Sequence, residues 1–171
     1  MTTVGTTAIH TVFIAKENIY FMEEWIDYHI RIGFDKFYLY NNSKVNSKST
    51  YLQHNPHFKP GKVNKYKINY DEIVKLTDEE IDEKLKNIAE KYKEHVHIYD
   101  WAPKNKEGKI MFAQTDAARH AIVKKLKKNK IDWSANIDMD EYIVIKDHDS
   151  IKSYIKDLSG KIKNLSNIKL S

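Results

Sequence analysis

Three carboxylates lie within an apolar run near the carboxyl end of the chain, SANIDMDEYIVI (Ser134–Ile145). Asp138 and Asp140 are two residues apart, and Glu141 follows directly. In an extended strand, Asp138 and Asp140 would project from one face and Met139 from the other. Two neighbouring carboxylates repel each other, and Mg²⁺ or Mn²⁺, which prefer hard oxygen ligands, would relieve that repulsion. Because the protein offers few ligands, we expect the remaining oxygens to come from a bound diphosphate.

The same spacing is also typical of a polar strand end with ordinary solvated carboxylates, because short motifs recur by chance. An EF-hand loop is excluded, since its sixth position requires glycine and that position, counted from Asp138, is Ile143. The five glycines form neither a P-loop nor a dinucleotide-binding fingerprint. The absence of cysteine excludes disulfides, zinc–thiolate sites and thiol nucleophiles. A metal site and a solvated strand end therefore both remain open.

Length and charge set the broad class. The 171 residues fit one domain, 1–171, and the formal net charge is +5. Much of the positive charge lies in the lysine run 124–130, which favours a solvated helix end over a nucleic-acid-binding surface. No segment approaches the roughly 18 apolar residues of a membrane span, and the amino terminus lacks the basic region of a signal peptide. We therefore expect a cytoplasmic protein that binds no nucleic acid.

Apolar periodicity divides the chain into alternating strands and helices. Asn18 is predicted to cap the first helix and Gly33 to end it, while Thr77 and Glu80 form a capping box at the next helix. The pair His54 and His57 is assigned to a surface loop rather than a metal site. Strands are predicted at 8–15, 36–40, 62–70, 95–102 and 132–138, helices at 19–33, after 77, at 110–128 and at 149–158, and a strand edge or extended arm at 161–171.

This alternation predicts an α/β fold with a largely parallel sheet and right-handed crossovers. In such sheets, ligands bind at the carboxyl ends of the strands, near the point where the strand order reverses. Asp138 and Asp140 end a predicted strand, so the fold would place them at this crevice.

Three segments resemble, in the right order, the glycosyltransferases of the A-type fold, and within them the family-2-like group with an Asp-x-Asp motif. FIAKENIYFMEEWIDYHIRIGFDKFYLYNNS is similar to the amino-terminal signature of that group, QTDAARHAI to the helix before the acidic motif, and WSANIDMDEYIVI to the motif itself. The resemblance covers most of Ala8–Ile145. It implies a three-layer, mostly parallel nucleotide-binding sheet and a metal-dependent enzyme. Such an enzyme would move a hexosyl or pentosyl group from a nucleotide-diphosphate sugar, expected to be UDP-linked, to a glycan or glycoconjugate acceptor.

The resemblance also implies a nucleotide-sugar site at the ends of the first two strands. Ala15, Lys16 and Glu17 would line the nucleoside pocket, and Asn41 and Asn42 would face the base. Family members often have Asp in place of Asn41, but an amide both accepts and donates hydrogen bonds, so uracil remains the expected base.

The acidic motif and the helix before it would supply the rest of the site. By the same resemblance, Asp138 would lie near the ribose and the metal, and Asp140 would bind Mn²⁺ or Mg²⁺ directly. Gln114, together with His120, would reach the donor from the preceding helix. His120 could equally be a hydrogen-bonded packing residue, and Glu141 could simply point to solvent or brace the turn. No catalytic base is identified.

Several alternatives remain open. Family members usually continue beyond the last residues of this chain into a segment that shapes the acceptor site, so the resemblance leads us to expect either a fragment or a minimal donor-binding half. An apolar surface left by that missing segment could pair two copies of the chain into a homo-oligomer. The alternative functions are a nucleotidyltransferase, a non-catalytic nucleotide-sugar-binding module and a basic nucleic-acid-binding domain, which would bind DNA or RNA in a salt-sensitive way.

Overall fold

A computed structural model describes residues 4–44, 75–111, 113–162 and 165–166. Within these ranges the strands are β1 (Thr7–Phe13), β2 (Lys36–Asn41), β3 (Val96–Asp100) and β4 (Trp133–Asn136). The helices are α1 (Ala15–Asn18), α2 (Met22–Arg31), α3 (Asp78–Lys91), α4 (Gln114–His120), which continues as a π-helix over Ala121–Leu126, and α5 (Ile151–Lys161).

These strands form one sheet in the order β3-β2-β1-β4, and each pairing is parallel. Phe13 of β1 lies opposite Asn41 of β2, and His10 of β1 lies opposite Asn136 of β4. From β1, the sheet continues through β2 to β3 on one side, whereas β4 pairs with the opposite edge of β1. The strand order therefore reverses between β1 and β4, and the predicted α/β class with a largely parallel sheet is confirmed.

Helices cover both faces of the sheet, because successive side chains of a strand point to opposite sides. On one face, Ile9 and Phe37 belong to a large core with α2, α3 and α5. On the other, Ala8, Tyr38 and Tyr40 form a smaller core with α4 and its π-helical continuation. This arrangement is compatible with the expected three layers.

The first predicted helix is divided in two. Asn18 does not cap α2, because its side-chain Oδ1 instead accepts a hydrogen bond from the Ile14 N–H at 3.1 Å, around the short α1. Helix α2 begins after Phe21 without a side-chain cap. The predicted end at Gly33 is confirmed, since Gly33 has a φ of +103°, a backbone conformation that glycine adopts at little cost. The capping box of Thr77 and Glu80 is also confirmed.

Other boundaries differ from their predictions. The helix predicted over 110–128 begins only at Gln114, and the strand predicted over 132–138 already ends at Asn136. Lys161 closes α5 instead of starting an extended arm. The predicted strand 62–70, the two loop histidines and most of 161–171 lie outside the described residues. Among the described residues, no helix is long and apolar enough to cross a membrane.

Candidate functional site

A cleft of about 170 Å³ opens between the carboxyl ends of β1 and β4. It lies where the strand order reverses, the position at which open α/β sheets bind ligands. Three groups of residues line it: the end of β1 with α1, the first residue of α4, and the turn after β4. The lining residues are Val12, Phe13, Ile14, Glu17, Asn18, Gln114, Asp138, Met139 and Asp140.

The two predicted metal ligands reach this cleft from a turn and not from an extended strand. The Glu141 N–H donates to the carbonyl of Asp138 at 3.1 Å, and the Asp138 N–H donates to the Glu141 carboxylate at 3.0 Å. Met139 points into the core and is only 2% exposed. The expected strand alternation was therefore the wrong reason for placing Asp138 and Asp140 together, although both line the cleft. Glu141 braces the turn.

Negative charge accumulates at the cleft. Partial burial raises the pKa of Asp138, and the nearby carboxylates of Glu141 and Asp140 raise it further. Burial also raises the pKa of Glu17, and the charge of Asp140 adds to that effect. Both shifts mean that the ionised carboxylates are held at a free-energy cost. A cation bound here would offset that cost.

The cleft presents two side chains of the kind that bind hard divalent cations. Asp138 and Asp140 offer carboxylate oxygens, which Mg²⁺ and Mn²⁺ prefer. Among the described residues, no group of three or more His, Cys, Asp or Glu side chains could hold a metal ion. Mg²⁺ is commonly held by one or two carboxylates together with substrate phosphates and water. The arrangement fits a cation that arrives with an anionic ligand.

The cleft is lined by only some of the residues that were expected to bind the nucleotide sugar. Glu17 and Gln114 line it, whereas Ala15, Lys16, Asn41 and Asn42 do not. Ala15 is buried, and its N–H donates to the Ser43 hydroxyl at 2.8 Å. The side-chain oxygen of Asn41 accepts hydrogen bonds from the N–H and the hydroxyl of Ser43. Ser43 thus ties the end of β2 to the start of α1, a role that sequence reasoning missed.

Asn42 faces the interior. Its side chain is fully buried, and its Nδ2 donates to the carbonyl of Trp101 at 2.6 Å. Among the described residues its Oδ1 has no hydrogen-bond partner. The side chain of Asn42 therefore connects the end of β2 to the segment that follows β3 through a hydrogen bond.

His120 lies away from the cleft, at the end of α4. Its Nδ1 is 3.0 Å from the Tyr40 hydroxyl, and its ring packs against Trp101 with 5.5 Å between centroids. Burial lowers the pKa of His120, and the neighbouring Lys125 and Lys124 lower it further. These contacts match the alternative in which His120 is a hydrogen-bonded packing residue.

Trp25 and His29 of α2 are both fully buried in the core. Sequence reasoning missed, however, that their polar ring atoms bind the backbone that follows the acidic turn. Their spacing of four residues indicates a shared helix face, but the partner segment is more than a hundred residues away.

Comparisons with protein-family models, with curated proteins and with solved structures found no match for this chain.

Proposed function

We propose that this protein is a metal-dependent glycosyltransferase that takes its sugar from a nucleotide-diphosphate sugar, most favourably a UDP-linked one. One observation carries the proposal: Asp138 and Asp140 meet in a cleft at the reversal of strand order in a parallel α/β sheet. The resemblance of three segments to glycosyltransferases of the A-type fold supports the same activity. It also favours that fold type for the sheet.

The proposed reaction breaks the bond between the sugar's anomeric carbon and the diphosphate through an oxocarbenium-like transition state, as in glycoside hydrolysis. A bound Mn²⁺ or Mg²⁺ would neutralise the negative charge that develops on the leaving diphosphate. Asp138 and Asp140 would hold the cation, and the side-chain amide of Gln114 can donate to a phosphate oxygen or a sugar hydroxyl. The carboxylates of the cleft repel an anion that arrives without a cation, so donor binding should depend on the metal.

The size of the cleft indicates which part of a donor it would take. Small-molecule sites usually span roughly 300–1,000 Å³, and this cleft measures about 170 Å³. It would therefore hold the metal and the diphosphate, while the base and the sugar extend beyond it. Because Asn41 and Asn42 do not line the cleft, we propose only a modest preference for uracil.

A panel of nucleotide-diphosphate sugars incubated with Mn²⁺ tests this function. We expect a UDP-sugar to release UDP, with the sugar moved to an added acceptor or to water. Asp140→Asn should abolish the release, whereas Asp116→Asn, which changes an exposed carboxylate of α4 in the same way, should not. Transfer of the nucleotide instead of the sugar would show a nucleotidyltransferase. Metal-dependent binding without turnover would show a binding module.

A further inference from the structure

One face of α2 holds the backbone that follows the acidic turn. Trp25 Nε1–H donates to the carbonyl of Glu141 at 2.8 Å, and the Tyr28 hydroxyl donates to the carbonyl of Ile143 at 2.9 Å. The N–H of Ile143 donates to His29 Nε2 at 3.4 Å. Three side chains that share a helix face thus satisfy three backbone groups within three residues.

The hydrogen bonds of His29 define the tautomer of its ring, that is, which of the two ring nitrogens carries the proton. His29 Nδ1 lies 2.8 Å from the carbonyl of Trp25, which can only accept, so Nδ1 carries the proton. Nε2 is then the acceptor that the N–H of Ile143 requires. His29 is fully buried, and burial lowers its pKa to about 4, so the ring is neutral near pH 7. The ring of Tyr142 stacks on it with 5.8 Å between centroids.

Apolar side chains fix the same stretch on either side of Asp140. Met139 and Ile143 are both buried in the core that contains α2. Between them, Asp140 and Glu141 are exposed. These buried residues and the hydrogen bonds from α2 hold the exposed part of the turn at the cleft.

We propose that His29 is a positioning residue, which together with Trp25 and Tyr28 holds the acidic turn so that Asp138 and Asp140 are arranged for a cation before it binds. This inference rests on the proposed function, because it assumes that the two carboxylates bind a metal together with a donor. Preorganised ligands do not have to be ordered on binding, which increases affinity. His29 touches neither carboxylate and acts through the backbone of Ile143.

Two substitutions at His29 separate positioning from packing. His29→Gln replaces the ring nitrogen with an amide oxygen that can also accept from the N–H of Ile143. His29→Phe retains the ring volume but leaves that N–H without an acceptor. Titration calorimetry with UDP and Mn²⁺ should show affinity weakened about tenfold in His29→Phe, in line with a lost hydrogen bond and a mobile turn. His29→Gln should recover most of the loss.

Ile155→Ala is the matched control, because Ile155 is buried on α5 in the same core but bonds to no part of the turn. It should lower the melting temperature without changing the affinity. If His29→Phe does not fold, Tyr28→Phe replaces it, since that change removes only the hydroxyl that donates to Ile143. A weaker affinity in Tyr28→Phe supports the inference, and an unchanged one overturns it.

The outcomes distinguish this inference from the function on which it rests. Wild-type affinity in His29→Phe, or equal losses in His29→Phe, His29→Gln and Ile155→Ala, would overturn the positioning role alone. No metal-dependent UDP binding by the wild-type protein would overturn the proposed function and this inference with it.

Discussion

His10 is the buried group whose replacement has the most clearly defined consequence. It lies in the middle of β1, is 4% exposed, and neither of its ring nitrogens has a hydrogen-bond partner among the described residues. A buried polar group without a partner costs about 1–3 kcal/mol. Leucine has a similar size and no polar atoms. We therefore expect His10→Leu to raise the free energy of unfolding at pH 7 by about 1–3 kcal/mol.

The same substitution should change the response to acid. Burial lowers the pKa of His10 from 6.5 to about 4. Between these values the unfolded chain binds a proton that the folded protein does not, so stability falls as the pH falls from 6.5 towards 4. One pKa unit corresponds to 1.36 kcal/mol, which makes the loss due to His10 about 3 kcal/mol. His29 contributes with the same sign, because burial lowers its pKa to about 4 as well.

Urea denaturation of the wild type and His10→Leu at several pH values between 7 and 4 measures both effects. The difference in stability between the two proteins should grow as the pH falls, since only the wild type retains the His10 contribution. Other titrating groups act equally in both proteins and cancel from the difference. A variant that is less stable than the wild type at pH 7, with a parallel pH dependence, would refute the reasoning. It would show that the ring of His10 has a partner, such as a buried water.

Three further predictions concern the cleft and the end of α2. Without metal, Asp140→Asn should melt at or slightly above the wild-type temperature, because it removes a charge that acts on Glu17 and Asp138; a clear fall in scanning calorimetry would contradict this. With Mn²⁺ present, UDP should bind modestly more tightly than GDP or ADP. Equal affinities measured by calorimetry would show that the protein does not recognise the base. Gly33→Ala should cost about 1–2 kcal/mol in urea denaturation, because Gly33 has a φ of +103° and an added Cβ would lie 3.3 Å from Ser150; unchanged stability would show that the turn readjusts.

The sequence was sufficient for the sheet and for the location of the acidic residues. Strand and helix periods differ clearly in segments such as Thr7–Phe13 and Asp78–Lys91, and the capping box is a local pattern of four residues. Asp138 and Asp140 could be assigned to the ligand-binding edge of the sheet, because the carboxyl ends of parallel strands lie at that edge. The turn at Met139 was missed, since a buried residue between two acidic ones occurs in an extended strand as well as in a turn.

The remaining differences depend on contacts that are distant along the chain. The buried side chain of Asn42 donates a hydrogen bond to the carbonyl of Trp101, which lies 59 residues away along the chain. Nothing in the sequence next to Asn42 indicates that partner. The hydrogen bonds from α2 to Glu141 and Ile143 span more than a hundred residues. The capping role predicted for Asn18 failed because a short helix, α1, uses that side chain at its own beginning.

The central claim is that Asp138 and Asp140 hold a divalent cation together with a nucleotide diphosphate. Titration of UDP into the wild type, Asp140→Asn and Asp116→Asn, each with Mn²⁺ and with a chelator, tests it most directly. We expect the wild type and Asp116→Asn to bind UDP only when Mn²⁺ is present, and Asp140→Asn to lose at least about tenfold in affinity, or 1.4 kcal/mol. Equal binding by all three proteins, or binding that persists in the chelator, would contradict it.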